Sequence, residues 1–185
     1  MSFLNTLQRH QDTINQLSQF ESVVSEMADR VEVCIRNGGK VLFMGNGGSA
    51  ADSQHLAAEF VVRYKKERPT MAAIALTTDT SILTAHSNDY SFDTVFSRQI
   101  QALTREGDIV IGLSTSGNSA NVIDAIKEAK QLGCHTYAWT GESGGQLLEI
   151  ADATLRMPSS ETARIQEAHM LIGHWLCEEM DERFS

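Results

Sequence analysis

The chain has 185 residues, 42% of them hydrophobic and 21% charged, with a net charge of −9, a balance that fits one globular unit large enough to bury a core. The negative charge disfavours nucleic acid and anionic membranes as partners, but a phosphorylated small molecule stays admissible because amides and hydroxyls act at contact distance while distant charges are screened. No apolar run reaches the roughly 20 residues of a membrane span, Met1-Ser2-Phe3-Leu4-Asn5 lacks a basic or apolar leader, and Cys34, Cys134 and Cys177 are too far apart for a thiolate motif, so a cytoplasmic protein with buried free thiols is expected.

From Ser2 to Asn37 the residues Leu4, Leu7, Ile14, Leu17, Val24, Met27, Val31 and Cys34 recur at helical steps, which predicts one long helix or two in succession, stopped by Gly38-Gly39. Two packings are open to it: on another subunit, or on the chain's own sheet. Val41 to Met44 then read as a strand, Gly45-Asn46-Gly47-Gly48-Ser49 as a glycine-rich turn, and Ala50 to Glu59 as a helix, with Ser49 and Asp52 at capping-box spacing. Met71 to Leu76 predict a second strand, Thr77 to Thr80 the cap of a short helix over Ser81 to His86, Asn88-Asp89 a polar turn, and Phe92 to Leu103 a further helix.

Ile109 to Leu113 form the next predicted strand, running into Ser114-Thr115-Ser116-Gly117-Asn118-Ser119 and a helix from Ala120 to Leu132. His135 to Trp139, a short helix near Leu147, Ala153 to Met157 and a closing helix from Glu161 to Glu179 complete the pattern. Strands alternating with helices predict an α/β fold, a doubly wound, mainly parallel five-stranded sheet flanked by helices. Residues 1–37 are expected to form an N-terminal helical segment and 38–185 the α/β core of a single domain.

A loop between a strand and a helix gathers unpaired amides and the positive end of the helix dipole, which suits a phosphate. This chain offers two such loops. Gly45, Gly47 and Ala50 also fit a dinucleotide fingerprint, but that fold wants an acidic residue roughly 20 positions further on, and Asp79 lies well beyond. Ser114, Thr115, Ser116 and Ser119 supply several hydroxyls around one helix start, as a terminal phosphate with many acceptor oxygens requires. His55 and Glu59 fall on one helix face, readable as a surface pair or as metal ligands. Arg63 and Arg164 either reach a phosphate or serve as surface or interface charges; His169 reads as structural, and His10, His86 and His135 belong to no constellation.

The motifs Gly45-Asn46-Gly47-Gly48-Ser49, Gln54-His55 to Glu59, Asn88-Asp89, Ser114 to Ser119 and Arg164-Ile165-Gln166-Glu167 resemble the sugar-isomerase (SIS) family, and within it the phosphoheptose isomerases, over nearly the whole chain. The resemblance implies a cytoplasmic homotetramer that isomerises a phosphorylated seven-carbon sugar, sedoheptulose 7-phosphate, towards the heptoses of bacterial lipopolysaccharide. It implies one Zn2+ per site on His55, Glu59, Gln166 and His174. Substrate contacts are implied at Asn46, Gly47, Gly48, Ser49, His55, Glu59, Asn88, Asp89, Ser114, Thr115, Ser116, Ser119 and Gln166, with neighbouring subunits completing each site. Glu59 and His174 are the residue types that an aldose–ketose isomerisation needs for proton transfer, and Glu59 is thereby asked to act both as ligand and as base. Ala163 departs from an acidic residue found in some relatives. A non-catalytic sugar-phosphate sensor or adaptor, or an isomerase of another ketose phosphate, would share the same fold.

Overall fold

Strands β1 (Val41–Gly45), β2 (Ala73–Ala75), β3 (Ile109–Ser114), β4 (His135–Thr140) and β5 (Ala153–Arg156) lie in the order β2-β1-β3-β4-β5, all parallel. They belong to a computed structural model that describes residues 2–185. Every residue of β1 and β3 is buried, as expected of strands covered by helices on both faces. Successive side chains alternate between two cores. Val41, Phe43, Ile109, Ile111, Tyr137 and Trp139 pack under α2 (Glu21–Arg36), α3 (Gly48–Val61) and α8 (Thr162–Phe184), while Leu42, Met44, Val110 and Ala138 face α5 (Val95–Leu103) and α6 (Ala120–Gln131).

The chain leaves β1 for β2 on one side and returns for β3 on the other, so the order reverses between β1 and β3. A crevice opens there beyond the carboxyl ends of the strands, the place where such sheets bind ligands. Both loops singled out above, one after β1 and one after β3, flank it.

The N-terminal segment is two helices, α1 (Phe3–Ile14) and α2, joined by a 3-10 turn at Leu17–Phe20. The packing on the chain's own sheet is the one seen, and it belongs to α2. Met27, Val31 and Cys34 of α2 are buried against the chain's own sheet, whereas α1 lies on α8 and leaves Phe3 and Leu4 78% and 71% exposed. Arg164 explains that placement, since its buried guanidinium donates to the Thr6 carbonyl at 3.0 Å and pairs with Glu167. Helix α4 (Thr80–Asp89) starts from Asp79, whose carboxylate accepts from the Ile82 amide at 2.9 Å. It runs further than the sequence pattern suggests: Asn88 and Asp89 form its last turn, not a turn after it. A short α7 (Leu147–Ile150) precedes β5, and among the described residues no helix is long and apolar enough to cross a membrane.

His169 is fully buried on α8, with Nε2 3.3 Å from the Thr140 carbonyl. Burial lowers its pKa from 6.5 to about 4. Its neutral form therefore stabilises the fold fully above pH 6.5, and that contribution drains away as pH falls towards 4. The size is roughly 3 kcal/mol for a shift of that extent. Urea unfolding at pH 7 and pH 4.5 should show His169→Gln losing less stability on acidification than the parent; an equal loss in both would assign the acid sensitivity elsewhere.

Candidate active site

Helix α3 begins at Gly48 with Gly47 as its N-cap at φ +56°, a left-handed conformation that glycine adopts without strain. The capping box suggested by Ser49 and Asp52 does not form. Ser49 instead turns inward in the first turn, buried, and its carbonyl accepts from the Ser53 hydroxyl at 2.8 Å. Asp52 is half-buried with Oδ2 lacking any protein partner; burial raises its pKa and His55 works against that rise.

Asn46 and Asn121 donate to each other's side-chain carbonyl, both at 2.9 Å. This reciprocal pair locks the loop after β1 to the start of α6, and so to the second loop. Asn121 is absent from the sequence-based reading although it stands two residues past Ser119. In the second loop Ser114 is buried at the end of β3, and its hydroxyl lies 2.8 Å from that of Ser119. Ser119 occupies the N-cap position of α6 without capping it, which leaves the first-turn amides of α6 free of a side-chain partner. The Ser116 hydroxyl accepts from the Asn118 amide at 3.1 Å. A cavity of about 280 Å³ adjoins this loop, lined by Thr115, Ser116 and Asn118 together with Glu142, Ser159 and Ser160.

Hydroxyls and first-turn amides together form a cradle for a dianion. Ser119→Ala is expected to cost about 1.5 to 3 kcal/mol of sugar-phosphate binding, the range for a hydrogen bond to a charged group, and to leave an unphosphorylated analogue unaffected. Calorimetry with both ligands checks it, and equal losses would place the phosphate elsewhere.

Helices α3 and α8 cross closely because Gly173 has no side chain. A Cβ there would fall 2.5 Å from Leu56. The next residues along, His55 and His174, consequently meet: their Nε2 atoms are 3.0 Å apart, and His55 Nε2 is 3.3 Å from Glu59 Oε1. Ligands of a tetrahedral zinc with bonds near 2.0 to 2.1 Å stand roughly 3.3 Å from one another, so both separations suit a shared ion. Burial, and then the nearby His55, lower the pKa of His174, which favours the neutral imidazole that a metal requires. Tyr64 stacks on the His174 ring with centroids 5.4 Å apart and planes 18° apart, a contact with no signal in the sequence.

The donor set fits zinc chemically, but the ligands have not closed on one point. Among the described residues, no three His, Cys, Asp or Glu side chains converge as a formed metal centre. Gln166 is not hydrogen-bonded to the other proposed ligands. It packs on Gly48, where a Cβ would collide with its amide. Asn88 and Asp89 bond each other at 2.8 Å and neither loop. Of the two arginines with open roles, Arg63 pairs with Glu67 on the surface and Arg164 with α1; neither is hydrogen-bonded to the second loop.

A family model for the SIS domain matches residues 3–141. The chain belongs to the SIS domain family. Within that family it is 51% identical over 177 residues to a phosphoheptose isomerase of Aliarcobacter butzleri, covering 95% of this chain and 94% of the relative. It is 55% identical over 158 residues to a probable phosphoheptose isomerase of Thermoplasma acidophilum, covering 85% and 87%. The structure of phosphoheptose isomerase from Neisseria gonorrhoeae superposes with a TM-score of 0.87 at 45% identity, over 97% of this SIS chain and 95% of that one. The sheet order and the N-terminal helices thus belong to the family architecture, and the chain is grouped with enzymes of the isomerase class.

Proposed function

We propose that this chain converts D-sedoheptulose 7-phosphate into D-glycero-D-manno-heptose 7-phosphate, in the cytoplasmic supply of heptose for bacterial lipopolysaccharide. The observation that carries the reading is the meeting of His55, Glu59 and His174 across α3 and α8, in a chain that also carries a hydroxyl-rich loop at the start of α6 and shares half its residues with phosphoheptose isomerases. Sensor or adaptor proteins of this fold have no need of such a group.

Ser114, Thr115, Ser116 and Ser119 hold the phosphate and so anchor the far end of an extended sugar. Asn46, Gly47 and Gly48 border the path of its chain. The Glu59 carboxylate takes the proton from the carbon next to the carbonyl and returns it to the neighbouring carbon, while His174 exchanges the proton between the two substrate oxygens. Zn2+ would be held by His55, Glu59 and His174, with Gln166 as the fourth ligand. When bound it supplies charge that stabilises the enediolate oxygens.

Asn88 and Asp89, which bond each other and neither loop, serve the site of a neighbouring copy in this reading. Exposed Tyr90 and Phe92 beside them, and Leu171 on the α8 face next to His174, are apolar surface suited to subunit contacts in a homotetramer.

Purified protein incubated with five- to seven-carbon ketose phosphates, with and without added zinc, should act best on the seven-carbon substrate and only with metal, while light scattering on the same sample gives a tetramer. Preference for a shorter sugar would overturn the substrate, metal-independent turnover the zinc, and a fully active monomer the shared site.

A further inference from the structure

Whatever fixes the spacing of α3 from α8 also fixes the spacing of His55 and Glu59 from His174. The Leu56–Gly173 crossing does so beside the site. Past the end of α3, a second fastener joins the two helices: Arg68 Nε lies 2.9 Å from Asp181 Oδ1, with the side chains 0% and 1% exposed. The remaining guanidinium nitrogens donate to the Glu59 carbonyl at 2.7 Å and the Phe60 carbonyl at 2.8 Å, in the last turn of α3, where unpaired carbonyls and the negative end of the dipole welcome a cation. The other oxygen of Asp181 accepts from the amides of Lys65 and Lys66, at 2.6 Å and 2.8 Å.

Burial works against the charge on Asp181, but those amides and Arg68 outweigh it and hold its carboxyl below the usual range. A buried pair with its hydrogen bonds satisfied specifies geometry, whereas one left incomplete mainly costs desolvation. The tethered segment also carries Tyr64, the residue stacked on His174. The fastener therefore touches the site from two sides, through the carbonyl of Glu59 itself and through the ring against His174.

We propose that Arg68 and Asp181 are positioning residues, whose buried pair sets how far His55 and Glu59 on α3 stand from His174 on α8. The nature of the reaction rests on the function proposed above; the spacing does not. Lysine cannot replace the arginine, because one ammonium cannot span Asp181 and two helix carbonyls at once.

Arg68→Lys and the double variant Arg68→Met/Asp181→Asn, which leaves no lone buried charge, are compared with the parent. Zinc affinity is read by competition with a chromophoric chelator, inorganic phosphate binding by calorimetry, and kcat and KM with sedoheptulose 7-phosphate. Zinc affinity and kcat should each fall by about tenfold or more, as when the supports of a metal ligand are removed, while phosphate binding and KM stay within about twofold because the cradle hangs on β3 and α6. Unchanged zinc affinity in a folded variant, a matching loss of phosphate binding, or failure of both variants to fold would overturn the proposal. A parent that binds zinc yet leaves the heptulose phosphate untouched would instead sink the functional reading, and the zinc measurement would still decide the positioning.

Discussion

Glu59→Gln should isomerise about 10²- to 10⁴-fold more slowly than the parent, the usual contribution of a positioned general base, while binding inorganic phosphate as before. The carboxamide keeps the shape of the carboxylate but cannot accept a proton. The backbone at this position is held independently, since its carbonyl accepts from Arg68 at 2.7 Å whatever the side chain. Loss of folding is therefore not expected, and thermal melts should superpose. The parent should incorporate solvent deuterium at the carbon next to the carbonyl, and the variant should not. If Glu59→Gln turns over at a near-parental rate with metal present, the base lies elsewhere, and His174, 3.0 Å from His55, takes the role.

What the sequence disclosed and what it withheld divide along one physical line. Patterns that act within a few residues were legible: the apolar runs of β1, β3 and β4, the glycines that turn strand into helix, and the i, i+4 placement of His55 and Glu59. The meeting of His55 with His174, 119 positions apart, was reached only by resemblance, because it depends on a helix crossing that Gly173 permits and no local spacing encodes. Asn121, Tyr64 and Asp181 give no signal for the same reason: each reads locally as an ordinary helix or turn residue, and acquires its role from a partner on another element. Arg68 reads as solvated surface within the charged run Lys65-Lys66-Glu67-Arg68, yet its side chain is fully buried on Asp181. Ser49 misled in the opposite direction. Its spacing to Asp52 imitates a capping box, but Gly47 at positive φ already starts the helix and frees the serine to turn inward. Asn88 and Asp89 read as a turn because both residue types favour turns, yet Asp79 caps α4 and the helix absorbs them.

Gly117→Ala should unfold the phosphate cradle, and Gly107→Ala should not, although both glycines have positive φ, +68° and +86°. Left-handed backbone costs a non-glycine residue of order 1 to 2 kcal/mol, and both variants bear that cost. The difference is in what a Cβ would meet. Nothing lies within 4 Å of the Gly107 position, whereas at Gly117 the new carbon would run into the carbonyl of Gly144 and crowd the Gly145 amide at 2.8 Å. Those are backbone atoms, which cannot step aside as a side-chain tip can. The same loop is zipped to its neighbour by the Leu147 amide donating to the Gly117 carbonyl at 3.1 Å and the Gln146 amide donating to Asn118 Oδ1 at 3.0 Å, so prising the backbones apart breaks these bonds as well. Strain and lost hydrogen bonds together should exceed about 4 kcal/mol, beyond the common range for a single substitution. Urea unfolding should therefore place Gly117→Ala far below Gly107→Ala, and calorimetry should find inorganic phosphate binding lost in the first and kept in the second. Equal stability of the two variants would mean that the loop can open at little cost, and that the packing of Gly117 on Gly144 does not hold Ser114 and Ser119 in place.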